Sequence, residues 1–188
     1  MSENLRLYTK AVDGMDAVVS QAGPGDWGKP SPCTGWTARH VIGHVIAVQA
    51  SIEATARRQR PPLNPMENQD AHAGDDPAAT WAAARAASLA TLATPGILDE
   101  VVRTWRGEVT VDDMIGWNVG DTLIHTWDLA RAIGANDRLD TELVAVATRI
   151  MTPYLDSVRG PNMFGPAYHV HDDADDQKRL LALCGRAG

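Results

Sequence analysis

A chain of 188 residues, 44% of them hydrophobic, is long enough to bury its own core without disulfide or metal staples. A formal net charge of −7 leaves no basic stripe to neutralise phosphates, so nucleic acid is not an expected partner. No apolar run has the length of a membrane span, and Met1 to Lys10 lack the apolar stretch of a secretory signal. Cys33 and Cys184 are too few for a disulfide framework, which makes a reducing cytoplasm the expected compartment.

Taken in chain order, Leu5 to Gln21 reads as the first helix. Leu5, Val12, Met15 and Val19 recur at helical spacing, and Gly23-Pro24-Gly25 ends it. After a loop containing Trp27, Pro30, Pro32 and Gly35, Thr37 caps a second helix running to about Arg58. Its stripe is Val41, His44, Val45, Val48 and Ile52. Residues Pro61 to Asp76 have no periodicity and read as a long loop. Asp76 as N-cap and Pro77 in the first turn open a third helix that reaches about Ala93. Val101 to Glu108 has extended character but is too short to define a sheet. Thr110 and Asp113 form a capping box with Asp in place of Glu, opening a fourth helix, Val111 to Ile133, that Gly134 closes. A fifth helix is expected from near Asp140 to about Val158. An extended tail, Gly160 to Asp173, then leads to a short helix, Asp175 to Cys184. The expectation is one all-α domain over residues 1–188, a four-helix bundle whose residues 159–188 wrap around it.

The fourth helix does not fit a plain amphipathic reading. At about 100° per residue, Asp121, His125 and Asp128 lie within about 60° of one another. Met114, Trp117 and Ile124 share that face, while Val119, Leu123 and Trp127 make the opposite face just as apolar. A helix that is apolar all round is buried on most sides. Buried carboxylates and imidazoles must then be paired or bind a metal, because desolvating them alone costs several kcal/mol. His44, in the middle of another apolar stripe, is the natural third donor. Two imidazoles and a carboxylate from two helices leave coordination positions open, which suits zinc, or nickel, manganese or ferrous iron. Plainer readings stand beside this one: His44 as a core residue satisfied by a carbonyl, and Asp121 with His125 as a hydrogen-bonded pair in a polar network.

The segment Trp36-Thr37-Ala38-Arg39-His40-Val41-Ile42-Gly43-His44-Val45 resembles the His-bearing signature of the DinB-like superfamily. More narrowly, it resembles the metal-binding domain of mycothiol-dependent maleylpyruvate isomerases and their small single-domain relatives. Asp121 to Ala132, with His125 followed by a Trp-Asp-Leu-Ala run, is similar to that group's second signature. Phe164-Gly165-Pro166 and Arg179 to Leu183 resemble the C-terminal end of the small relatives. The resemblance implies a bundle of four main helices with one divalent metal at its mouth, held by His44, Asp121 and His125. Other branches carry Glu where Asp121 stands, and His40 stands where Asp is usual. It further implies a transferase that activates a low-molecular-weight thiol, such as mycothiol, toward a small electrophile. Isomerase activity is not expected, because those isomerases have an additional C-terminal domain and this sequence ends at Gly188.

Among lesser candidates, His40 is read as a fourth ligand or a local cap, and Asp128 as a carboxylate orienting His125 or pairing Arg131 and Arg39. Trp36 and Trp117 are read as pocket residues, Cys33 as a small buried hydrophobe, and His72 as a loop residue that could close over the site. His169 and His171 belong to a solvated acidic segment. The alternative function is a non-catalytic metal- or small-molecule-binding protein of stress response, and apolar bundle faces are compatible with a homodimer.

Overall fold

The computed structural model describes residues 1–160 and 164–187. Its helices are α1 (Glu3–Val19), α2 (Ala38–Ala56), α3 (Gln69–His72), α4 (Pro77–Leu92), α5 (Val111–Ile133), α6 (Thr141–Met151) and α7 (Asp176–Leu183). Strands β1 (Val101–Thr104) and β2 (Gly107–Thr110) form one antiparallel hairpin. The four long helices α1, α2, α4 and α5 make the bundle expected from the sequence. No described helix is long and apolar enough to cross a membrane.

Side-chain oxygens start most of these helices by taking the orphan amide protons of the first turn. Ser2 accepts from the Leu5 amide at 3.1 Å. Asp76 accepts from Ala78 and Ala79, each at 3.1 Å, with Pro77 in the first turn, where its missing N–H costs nothing. Thr110 Oγ1 accepts from the Asp113 amide at 3.0 Å and donates to the Asp113 carboxylate at 2.8 Å. Gly134, at φ 77°, closes α5 in a left-handed conformation that a side chain would resist.

Three expectations need correction. The fifth helix stops at Met151, not Val158, because Pro153 has no amide proton to continue the helical ladder beyond Thr152. Residues Leu155–Val158 form a separate 3-10 turn. Val101 to Glu108 does more than extend: it pairs through to Thr110 in register Val101 with Thr110 and Thr104 with Gly107. Gly107, at φ 100°, makes the tight connection after Trp105-Arg106. The long loop of residues 61–76 also contains α3.

α5 is the spine. Its buried residues include Ile115, Val119, Leu123, Ile124, Trp127 and Ala130, from every side of the helix. α1, α2 and α6 pack against it, and α4 closes the bundle against α2. Gly43 of α2 provides a close approach: a Cβ there would overlap the Gln69 carbonyl, so α3 rests directly on the α2 backbone. A small buried network, with Tyr8 Oη and Ser88 Oγ both donating to Gln49 Oε1 at 2.6 and 2.7 Å, ties α1, α2 and α4 together.

At the surface, Lys10 bridges Asp140 and Glu142 at 2.8 and 2.7 Å, pinning α1 to the start of α6. Arg6 and Lys10 hold the Glu142 carboxyl down to about 2. A depressed carboxylate stabilises the fold above its ordinary value of 4.5, and that contribution is lost as pH falls through the window toward 2. Glu142→Gln is therefore expected to lower stability modestly at neutral pH and to flatten its decline over that window. Urea unfolding at a series of pH values checks this, and added salt should shrink the difference.

Candidate metal centre

The turn of residues 30–37 places Trp36 beside the N-terminal half of α2. The Ser31 amide donates to the Trp36 carbonyl and the Trp36 amide to the Cys33 carbonyl, both at 2.9 Å. Gly35, at φ 79°, supplies the left-handed step of that turn. The Trp36 ring lies at 5.4 Å from the His44 ring and stacks at 6.0 Å on the His125 ring. The two imidazole centroids are 4.6 Å apart.

α2 and α5 bring His44, Asp121 and His125 together. His44 Nε2 faces Asp121 Oδ2 at 3.6 Å, and His125 Nε2 faces Asp121 Oδ1 at 3.8 Å. Both imidazoles are 6% exposed, so bulk water does not serve them. Their other nitrogens are already committed. His44 Nδ1 is 2.9 Å from the Pro65 carbonyl oxygen and, with that acceptor, carries the proton. His125 Nδ1 is 3.0 Å from Asp128 Oδ2. In the neutral form of each ring, Nε2 then presents its lone pair toward Asp121. His44 Nε2 and Asp121 Oδ2 are buried without a hydrogen-bond partner.

This arrangement fits a divalent cation better than a proton. Donors bound to one zinc at about 2.0–2.2 Å in tetrahedral geometry lie roughly 3.4 Å apart, close to the separations seen here. All three donor atoms fall within 4.8 Å of one another. An orphaned buried lone pair costs free energy unless something fills it, and here two of them face the same point. Burial pushes Asp121 up, but the two imidazoles outweigh it and hold the carboxyl down to about 2. Burial lowers His44, and the Asp121 carboxylate more than reverses this. For His125 burial prevails and the net direction is down.

Cys33, His125 and Asp128 form a second group with compatible spacing. That group is already occupied by a cation of the chain itself. Arg186 donates to Asp128 through Nε at 3.2 Å and Nη2 at 2.7 Å, and Nη2 also approaches Cys33 Sγ at 3.2 Å. The Cys33 thiol donates to Asp128 Oδ2 at 3.1 Å. Burial, with Asp128 adding to it, pushes the Cys33 thiol far above its ordinary value, so it stays protonated. Asp128, wholly buried, stays ionised because Arg186 and His125 outweigh its burial.

Other sequence candidates fall elsewhere. His40 is no part of the cluster: its Nδ1 turns back to the Thr37 amide at 3.3 Å and Oγ1 at 2.8 Å, capping α2. Asp128 holds His125 but not Arg131, which pairs with Asp137, nor Arg39, which donates to the Gly74 carbonyl. Trp117 stands off from the two histidines, in an aromatic cluster with Trp105 and Tyr154. His72 bonds the Asn64 carbonyl at 3.1 Å, and Met66 is the loop residue that lines the site. Pro65 and Arg186 carry no periodic signal and were missed. An arginine close to the end of the sequence is the one cue that was available.

Above the cluster is a cavity of about 420 Å³, lined by Cys33, Trp36, Met66, Phe164 and Arg186 as well as the three donors. It has the size of a small-molecule site.

The sequence model of the mycothiol maleylpyruvate isomerase N-terminal domain matches residues 8–130. Uncharacterized protein Rv0738 of Mycobacterium tuberculosis is 30% identical over 187 residues, covering 97% of either chain. Uncharacterized protein MT0763, from another strain of that organism, matches to the same extent. Crystal structures of a mycothiol-dependent maleylpyruvate isomerase and of its histidine-to-alanine mutant superpose with TM-scores of 0.67 and 0.66. They are 17% and 16% identical in sequence, with 84% of this chain and 72% of theirs covered. The fold is thus a DinB-like helical bundle. Within that class, the chain belongs to the mycothiol maleylpyruvate isomerase N-terminal domain family.

Two substitutions test how the site is supported. Gly43→Ala forces α3 off the α2 backbone and is expected to cost about 1–3 kcal/mol, with faster proteolysis within residues 59–68. Asp128→Asn leaves Arg186 buried without its counter-charge and is expected to cost about 3 kcal/mol or more in chemical unfolding at neutral pH.

Proposed function

We propose that the protein is a metal-dependent thiol S-transferase in which His44, Asp121 and His125 hold one divalent cation, zinc foremost, and a mycothiol-like thiol is directed at a small electrophile. The observation that carries this is the pair of Nε2 lone pairs converging on Asp121 with their Nδ1 sides already fixed, leaving buried orphans at the foot of a cavity. Family membership and the fold shared with a mycothiol-dependent isomerase support the choice of thiol.

A divalent cation bound there supplies the positive charge that keeps a thiol deprotonated at neutral pH. The chain's own residues do the rest. Pro65 and Asp128 hold both imidazoles in the tautomer that donates through Nε2. Asp121 brings a single negative charge, so a divalent ion keeps net positive charge for an anionic sulfur. Asp128 is neutralised by Arg186 and does not oppose that attraction. Cys33 remains a thiol and does not compete as nucleophile. Trp36 and Met66 wall the cavity above the three donors. In the transfer the S–H bond breaks, a sulfur–carbon bond forms and the leaving group departs with its electron pair. The proton passes to solvent at the cavity mouth. The cytoplasm, where small thiols are kept reduced, is the compartment this reading requires.

The protein purified with zinc is expected to hold one equivalent by elemental analysis. His44→Ala, Asp121→Ala and His125→Ala should each lose it, and Asp128→Asn should bind roughly 10–100-fold more weakly. Zinc-loaded protein with mycothiol and a panel of chlorinated and epoxide acceptors should consume thiol. One equivalent of zinc without turnover across the panel would overturn the transferase reading in favour of a non-catalytic cation-binding protein. Absence of stoichiometric metal would overturn both.

A further inference from the structure

A second cavity, of about 530 Å³, adjoins the first and shares His44 and Asp121 with it. Its character differs. Val48 and Ile52 of α2, Met114 and Trp117 of α5, and Trp105 and Val109 of the hairpin make its walls apolar. The aromatic rings are arranged edge to face: Trp105 to Trp117 at 5.2 Å and Trp117 to Tyr154 at 5.5 Å. Trp105, at the hairpin turn, is 59% exposed, an unusual place for so large an apolar surface unless something covers it.

Two arginines of the hairpin, Arg103 and Arg106, also line this cavity. The Arg106 guanidinium carbon lies 4.6 Å from the Tyr154 ring centroid and 5.7 Å from that of Trp117. Nη2 donates to Tyr154 Oη at 3.1 Å, while Nε is buried with no partner. Among the described residues no carboxylate forms an ion pair with Arg103 or Arg106, although the chain as a whole carries −7. A guanidinium without a counter-charge, packed beside two aromatic rings and lining an apolar cleft, is the chemistry that recognises a carboxylate attached to a ring.

We infer that this cavity is a binding subsite for a small aromatic carboxylate, its anionic group on Arg106 and its ring against Trp117 and Trp105. The opposite end of such a molecule faces the edge formed by His44 and Asp121. That it serves as the acceptor subsite rests on the transferase reading above; binding itself does not require that reading.

The experiment uses metal-free protein in chelator, with phenylacetate and its neutral counterpart phenylacetamide as probes. Titrations are followed by the indole N–H resonances of Trp105 and Trp117, assigned with Trp105→Phe and Trp117→Phe. Phenylacetate is expected to bind roughly tenfold more tightly than the amide, shifting both resonances and not that of Trp36. Arg106→Gln should erase the preference while leaving the amide's affinity unchanged. Trp117→Leu should weaken both probes. Equal binding of the two probes, or shifts confined to Trp36, would overturn the inference. So would a carboxylate preference that survives in a well-folded Arg106→Gln. Should that variant melt early, the comparison of probes on the unaltered protein decides alone. Because no metal or thiol is present, failed turnover and failed carboxylate binding are separate outcomes.

Discussion

The negative charge of Asp121 is the constraint around which the rest of the site is organised. It is carried on a helix that packs on nearly every side, where an uncompensated carboxylate is costly. The chain does not neutralise it directly. Neither imidazole reaches it at hydrogen-bond distance, and Arg186, the nearby buried cation, is spent on Asp128. What the fold does is hold the imidazoles still and turned the right way. Pro65 fixes one ring through a backbone carbonyl, and Asp128 fixes the other. Trp36 lies against both. Rigidity of the surroundings and an unmet charge at the centre are complementary aspects of one design.

That design depends on small residues placed between helices. Gly43 lets α3 lie on α2, which brings the preceding loop close enough for Pro65 to reach His44. Arg39 clasps the far end of the same loop at the Gly74 carbonyl. The loop is thus a strap anchored at both ends, and the His72 side chain is turned to Asn64 rather than to the donors. Gly120, beside Asp121, similarly admits Met151 of α6. Positions next to the functional side chains are small because backbones must come near, a packing demand that acts through the neighbouring residue.

Much of this was legible in the sequence because it follows from local rules. Asp76-Pro77, Thr110 with Asp113, and Gly134 mark helix ends by the chemistry of orphan amides and left-handed backbone. The all-apolar character of α5 and the isolated His44 in the α2 stripe pointed to three side chains that the structure does bring together. Local rules also misled where two competed. Helical spacing after Asp140 outweighed Pro153, and the hairpin's cue, a glycine at position 107 between short β-branched runs, looked too brief to pair. His40 was readable as ligand or cap, and its position three residues into α2 favours the cap. Pro65 and Arg186 were beyond reach for another reason: a carbonyl acceptor leaves no mark in residue type, and a contact spanning 58 positions leaves none in periodicity.

The tether between Arg186 and Asp128 has a bearing on synthesis. A ribosome releases Asp128 well before it releases the guanidinium that stabilises it, so a nascent chain holding α1 to α5 has an acidic group buried beside His125 with no counter-ion. Early closure of that end of the bundle is penalised until α7 has docked and delivered the missing charge. The end of the bundle that holds His125 would then close late, in step with the arrival of a charge carried 58 positions further along the chain.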